Sequence, residues 1–84
     1  MSPALAVRLA AYLLYLSEQN KGSKDFELTI TKAQLASLLG TIPETLSRIL
    51  GRLSSQGLIE TDARRVRILK KEALRDLAES GGHL

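Results

Sequence analysis

Glu44, Ser47 and Arg48 stand at i, i+3 and i+4. On a helix that spacing gathers the three side chains on one face. An arginine fork pairs with guanine O6 and N7, a carboxylate accepts from cytosine N4, and a serine hydroxyl suits either. The trio therefore has the chemistry of base-edge reading. Each residue also has a plainer use. Glu44 and Arg48 are spaced for an exposed ion pair, Glu44 suits the positive end of a helix dipole, and Ser47 can be solvated.

Groups fit for phosphate oxygens surround the trio. Thr31, Lys32, Thr41 and Thr45 fall at expected helix starts, where hydroxyl, ammonium and amide groups hold phosphates. Any of them can equally be a plain cap. Arg52 continues the basic side of the same helix, and Arg64, Arg65 and Arg67 cluster near a hairpin tip. Three arginines in four positions suit phosphate contact, and a solvated charge run is the ordinary alternative.

Other chemistry is poorly served. There is no cysteine, hence no disulfide framework and no thiolate metal site. His83 is the lone histidine, in a glycine-rich tail, and Glu72, Asp76 and Glu79 have no histidine partner. No Ser/His/Asp arrangement and no phosphate-cradling glycine loop is present. The expectation is a domain with neither an enzymatic role nor a cofactor or metal. The net charge of +3 fits an anionic partner only weakly.

The elements that would position these residues follow from periodicity. A chain of 84 residues is one domain with a modest core. Residues 1–79 form the expected domain and 80–84 a disordered tail. A first helix runs from Pro3 to about Gln19, with Leu5, Leu9, Tyr12, Leu13 and Leu16 as its core stripe. Its apolar stretch, Pro3 to Leu16, is shorter than the ~20 residues of a bilayer span, and it lacks the layout of a signal peptide. A cytoplasmic, non-membrane protein is expected. Val7, Leu14 and Tyr15 lie off the stripe, so part of an apolar face is expected to stay open.

Phe26, Leu28 and Ile30 alternate with Glu27 and Thr29, which predicts a short half-buried strand. Thr31 is placed to cap a second helix that ends at Leu39 with Gly40 as its stop. A third helix spans about Pro43 to Gln56, buries Leu46, Ile49, Leu50 and Leu53, and stops at Gly57. Leu58 and Ile59 open a strand, Thr61 to Arg64 turns, and Val66, Ile68 and Leu69 return with Arg65 and Arg67 outward. A last helix from Glu72 to about Glu79 buries Ala73, Leu74 and Leu77.

The stretch from Lys32 to Leu53 has the mechanics of a helix-turn-helix. Ala36 is small where two helices cross, Gly40 permits positive φ, and Leu35, Leu39, Leu46 and Ile49 wedge the pair apart at a steep angle. The hairpin that follows supplies a wing. The expected fold is mainly α with a small antiparallel β-sheet, a winged helix-turn-helix. An ordinary helical hairpin is the bland alternative.

Thr31 to Ala36, Leu39-Gly40, Glu44-Thr45-Leu46-Ser47-Arg48-Ile49-Leu50, Leu53 and Gly57-Leu58-Ile59 together resemble the C-terminal domain of the cyclic-AMP receptor protein / fumarate-nitrate reductase regulator family. Arg8-Leu9-Ala10 with Leu13-Leu14 resembles its opening helix, and Ala73-Leu74 with Leu77-Ala78 its closing one. The resemblance implies a recognition helix in the major groove of double-stranded DNA, with Glu44, Ser47 and Arg48 on bases. It also implies a TGA-containing half-site, preferably TTGAT. Further implied are a preceding sensor domain and dimerisation helix, both outside this chain, a homodimeric full-length protein, and RNA polymerase as a candidate partner. The open apolar face of the first helix fits a piece of such a protein.

Three positions depart from the family pattern. Ile42 stands where Ser or Thr is usual, and Thr41 with Glu44 is the expected substitute capping box. Pro43 replaces a base-reading arginine of the cyclic-AMP receptor subgroup, which moves the likeness toward the fumarate-nitrate subgroup. Lys70 stands where an Asp often caps the last helix. The rival function is a winged helix used for protein–protein contact.

Overall fold

A computed structural model describes residues 3–80. Its elements run α1 (Pro3–Gln19), β1 (Asp25–Glu27), α2 (Lys32–Leu39), α3 (Pro43–Ser55), β2 (Ile59–Asp62), β3 (Arg65–Ile68) and α4 (Lys71–Ser80). This is the expected winged helix-turn-helix, helical with one small antiparallel sheet. No helix among the described residues is long and apolar enough to cross a membrane.

Helix α1 buries Leu9, Ala10, Leu13 and Leu16, while Leu5 and Tyr12 are only partly covered. Ser17 continues the buried face, at 0% exposure. Its hydroxyl donates to the Ser23 carbonyl at 2.6 Å and accepts from Lys71 Nζ at 3.4 Å. A buried hydroxyl needs such partners, because an unsatisfied one costs about 1–3 kcal/mol. The bonds also tie α1 to the following loop and to α4. Of the three off-stripe residues, Val7 and Leu14 are half-buried and Tyr15 is 56% exposed.

Helix α2 starts on a capping box. Thr31 Oγ1 accepts from the Gln34 amide at 3.1 Å, and Gln34 Oε1 accepts from the Thr31 amide at 2.9 Å. It stops at Gly40, whose φ of +77° suits glycine, with the Thr41 amide donating back to the Ala36 carbonyl at 2.8 Å.

Helix α3 starts differently from expectation. Its N-cap is Ile42, which offers no side-chain hydrogen bond, so Thr41 does not cap and no Thr41–Glu44 box forms. Proline explains the shift. The fixed φ of Pro43 suits the first helical position, and the residue before a proline is driven to extended backbone. Ile42 accordingly sits at φ −110° and ψ 158°. The helix ends at Ser55, with Gln56 as its cap.

The sheet has the order β1-β3-β2, antiparallel throughout. The expected strand from Phe26 to Ile30 shortens to Asp25–Glu27, because its partner β3 begins only at Arg65. Past that point the Leu28 amide still donates to the Arg64 carbonyl at 2.7 Å. The wing turn narrows to Ala63-Arg64, since Thr61 and Asp62 belong to β2 and Asp62 pairs with Arg65. Leu69 lies outside β3 and is 45% exposed, contrary to its expected place in the strand. Its amide and that of Lys70 both donate to the Leu58 carbonyl instead.

Helix α4 lies against α1 and fully buries Leu74, whereas Ala73 and Leu77 are half-buried. It runs through Ser80, so the first residue of the expected tail is helical; residues 81–84 lie outside the described residues. The core joins α1 to the sheet through Phe26, Val66 and Ile68, and to the two central helices through Leu35, Ala36, Leu46 and Ile49.

Candidate nucleic-acid interface

The core fixes how α3 is presented. Leu46, Ile49, Leu50 and Leu53 are buried along one side, and Leu35, Ala36 and Leu39 of α2 are buried in the same core. With Leu46 and Leu35 at 0% exposure, truncating either to Ala should cost about 2–5 kcal/mol. The opposite side of α3 faces solvent. It carries Glu44, Ser47, Arg48, Gly51 and Arg52, all exposed. The structure thus brings the predicted trio together on one open face. The Glu44–Arg48 pair permitted by their spacing is not among the ion pairs of the described residues.

Gly51 is a residue the sequence reading missed. It lies mid-helix on the open face, and a Cβ built there would meet nothing within 4 Å. No neighbour in the chain requires glycine, yet glycine inside a helix costs about 0.5–1 kcal/mol relative to alanine. What it provides is bare backbone one turn beyond Ser47 and Arg48. A mid-helix glycine in a sequence is itself the signal that could have found it.

The candidate phosphate-binding residues occupy three places. Thr31 and Lys32 are exposed at the start of α2, with the Thr31 hydroxyl engaged in the capping box. Thr41 and Thr45 are half-buried on either side of the α3 start. Arg52 lies at the flank of the open face. The wing tip comes close to the approach to α2, because Arg64 accepts from Leu28 three residues before Thr31.

The wing arginines separate into two kinds. Arg64 lies in the turn, exposed. Arg65 and Arg67 lie on the outer face of β3, each flanked by carboxylates. Register sets Arg67 between Asp25 and Glu60, and Arg65 between Glu27 and Asp62. Arg65 donates to Asp25 at 3.0 Å, Arg67 to the other Asp25 oxygen at 3.4 Å, and Arg67 approaches Glu60 at 3.7 Å. The hydrogen bond from Arg65 holds the Asp25 carboxyl below the ordinary carboxylate range. Partial burial opposes that shift, and the charges of Arg65 and Arg67 with the Arg67 hydrogen bond reinforce it. The outer face of the sheet thus sets four carboxylates against two guanidinium groups.

No group of three or more His, Cys, Asp or Glu side chains among the described residues is placed to hold a metal. The arrangement can do recognition chemistry: an open helix face of mixed hydrogen-bonding character, edged by basic residues.

Comparison with known proteins agrees with that geometry. Residues 7–77 match the family described as the Crp-like helix-turn-helix domain. The chain is 43% identical over 75 residues to "Probable transcriptional regulator flp" of Lacticaseibacillus casei, covering 89% of this chain and 34% of that protein. It is 39% identical over 71 residues to the nitrogen fixation regulation protein FixK of Rhizobium meliloti, covering 83% and 34%. Among solved structures, the catabolite activator protein of Thermus thermophilus superposes with a TM-score of 0.71 at 26% identity, over 94% of this chain and 36% of that one. The chain spans about a third of the length of the relatives it matches. With the family match extending over most of its length and the helix-turn-helix geometry in place, the chain belongs to the Crp-like helix-turn-helix domains of the Crp/Fnr transcription regulators.

Proposed function

We propose that this chain binds double-stranded DNA sequence-specifically and thereby regulates transcription, with α3 as the helix that enters the major groove. The observation that carries this reading is the open face of α3, where Glu44, Ser47 and Arg48 stand together, opposite the buried Leu46, Ile49, Leu50 and Leu53. In this reading Arg48 pairs with guanine, Glu44 accepts from cytosine, and Ser47 completes the base contacts. Thr31, Lys32, Thr41, Thr45, Arg52 and Arg64 hold the backbone. Arg65 and Arg67 join them only by exchanging their carboxylate partners, Asp25 for both and Glu60 for Arg67, for a phosphate. A half-site with a TGA core, TTGAT by preference, follows from the likeness to the fumarate-nitrate subgroup.

The domain acts within a longer cytoplasmic regulator, paired as a homodimer on a palindrome, with RNA polymerase as a further partner. The coverage of only a third of each relative supports the reading of a longer regulator. So does the uncovered part of α1, where Tyr15 is exposed and Val7 and Leu14 are half-buried. Linking two half-sites adds avidity of about 10²–10⁴-fold. A palindrome titrated with this chain and with the longer dimer should therefore show much tighter binding by the dimer.

The direct test is a titration of the chain against duplexes selected from a random pool, repeated over a range of salt. Steep loss of affinity with salt and a TGA core in the selected sites are expected. Affinity indifferent to salt, or selection that returns no preferred site, would turn the reading toward a protein–protein contact module.

A further inference from the structure

Ile42 is 57% exposed at the point where the turn enters α3. As N-cap it offers the helix no oxygen, and Pro43 behind it has no N–H to offer a phosphate. At two successive positions the helix start therefore lacks first a polar side chain and then a backbone N–H, groups of the kind that hold phosphates. The surface these positions present is apolar. The core does not account for it, since Leu39 and Leu46 on either side are buried while Ile42 points out.

The N-terminal end of a recognition helix is the part that meets base edges. Each base pair shows hydrogen-bond donors and acceptors in the major groove, but only one apolar group occurs there, the C5-methyl of thymine. We propose that Ile42 reads a thymine methyl and is a specificity-determining residue alongside Glu44, Ser47 and Arg48. The inference rests on the DNA reading of α3 given above. Arg48 follows Ile42 by six residues, which on a helix is about 9 Å of axis. At ~3.4 Å per step along the duplex, the thymine lies within about three base pairs of the guanine that Arg48 reads.

The test uses this chain and the duplex it selects from a random-sequence pool. Each thymine of the selected site is replaced in turn by deoxyuridine, which removes the methyl and keeps every hydrogen-bonding group. The unmodified chain is expected to lose about fourfold in affinity at one position, the worth of one methyl. In Ile42→Ser and Ile42→Asn, which carry no methyl group, that position becomes insensitive, while discrimination that depends on Arg48 persists. Circular dichroism of both variants should match the parent, because Ile42 is exposed. A flat deoxyuridine scan in the parent chain overturns the inference and leaves the DNA reading of α3 intact. So does a sensitive position that survives in both variants. Absence of any sequence-selective binding overturns both.

Discussion

The open face of α3 and the outer face of the wing both display arginines, and the two differ in what already surrounds those arginines. On α3, Arg48 stands one turn from Glu44 without forming an ion pair to it. On the sheet, Arg65 and Arg67 share Asp25, and Arg67 also reaches Glu60. A guanidinium held by a carboxylate can take a phosphate only by exchanging one anion for another, so its net gain is small. The density of arginine in a stretch of sequence thus overstates the positive charge a surface can offer. The wing has three arginines in four positions, yet only Arg64, in the turn, lies outside the carboxylate rows.

Substitutions can break or sharpen that contrast. The largest effect is expected from Arg48→Ala, which should weaken the selected site about 10- to 100-fold and random DNA far less, as loss of a bidentate base contact implies. Equal losses on both would reduce Arg48 to a phosphate contact and erase the distinction between the two faces. Gly51→Ala should act in opposite directions on two measurements. Thermal unfolding should rise by about 2–8 °C, because alanine is the better helix former by about 0.5–1 kcal/mol. DNA affinity should fall several-fold, because a methyl group then stands on the backbone that the duplex approaches. Affinity unchanged beside a raised melting point would mean that DNA does not come close at this turn.

The wing should respond more weakly, and unevenly. Arg64→Ala should flatten the log–log salt dependence of binding by about one unit, the signature of one lost phosphate contact. Arg65→Ala should leave the slope nearly unchanged. An equal effect of the two would show that Asp25 does not restrain Arg65. Asp25→Asn provides the converse, steepening the slope by releasing Arg65 and leaving Arg67 only Glu60.

The smallest expected effect is on acid stability. The carboxyl of Asp25 is lowered in the folded state. Its contribution is therefore present above the ordinary carboxylate range and lost as pH falls through the lowered value. Because the pair is exposed, the contribution is small. Stability curves of the parent and Asp25→Asn should converge at the acid end and separate slightly near neutrality, with the parent the more stable.

Local chemistry made most of the framework legible. Thr31, Gly40 and Gly57 carry start and stop signals in their own residue types, and the helices they bound fall where expected. Errors arose where the deciding partner lay far along the chain. Alternation from Phe26 to Ile30 could not show that β3 would supply partners only for Asp25–Glu27. The pairing of Arg65 with Asp25 depends on the same distant register. The mistaken Thr41 cap has a local cause, since the preference of Pro43 for the first helical position outweighs the better capping chemistry of threonine. Ser17 escaped notice because a polar residue gives no sign in a hydrophobic pattern, although it stands four residues after the buried Leu13.

The strand order β1-β3-β2 also has a kinetic consequence. Asp25 and Arg65 are separated by 40 residues, and the loop they close contains α2 and α3 entire. The β2–β3 hairpin and the helical pair are assembled from near neighbours, whereas β1 must return across that span, and contacts of long sequence separation are slow to form. Docking of β1 is then expected late in folding and its release early in partial opening. The Leu28 and Ile68 amides, which donate across the β1–β3 seam to Arg64 and Lys24, should exchange with deuterium before the Leu46 amide does. Each such opening would detach Asp25, leaving Arg65 without its ion-pair partner and Arg67 with Glu60 alone, so that the wing is transiently more basic when it is less ordered.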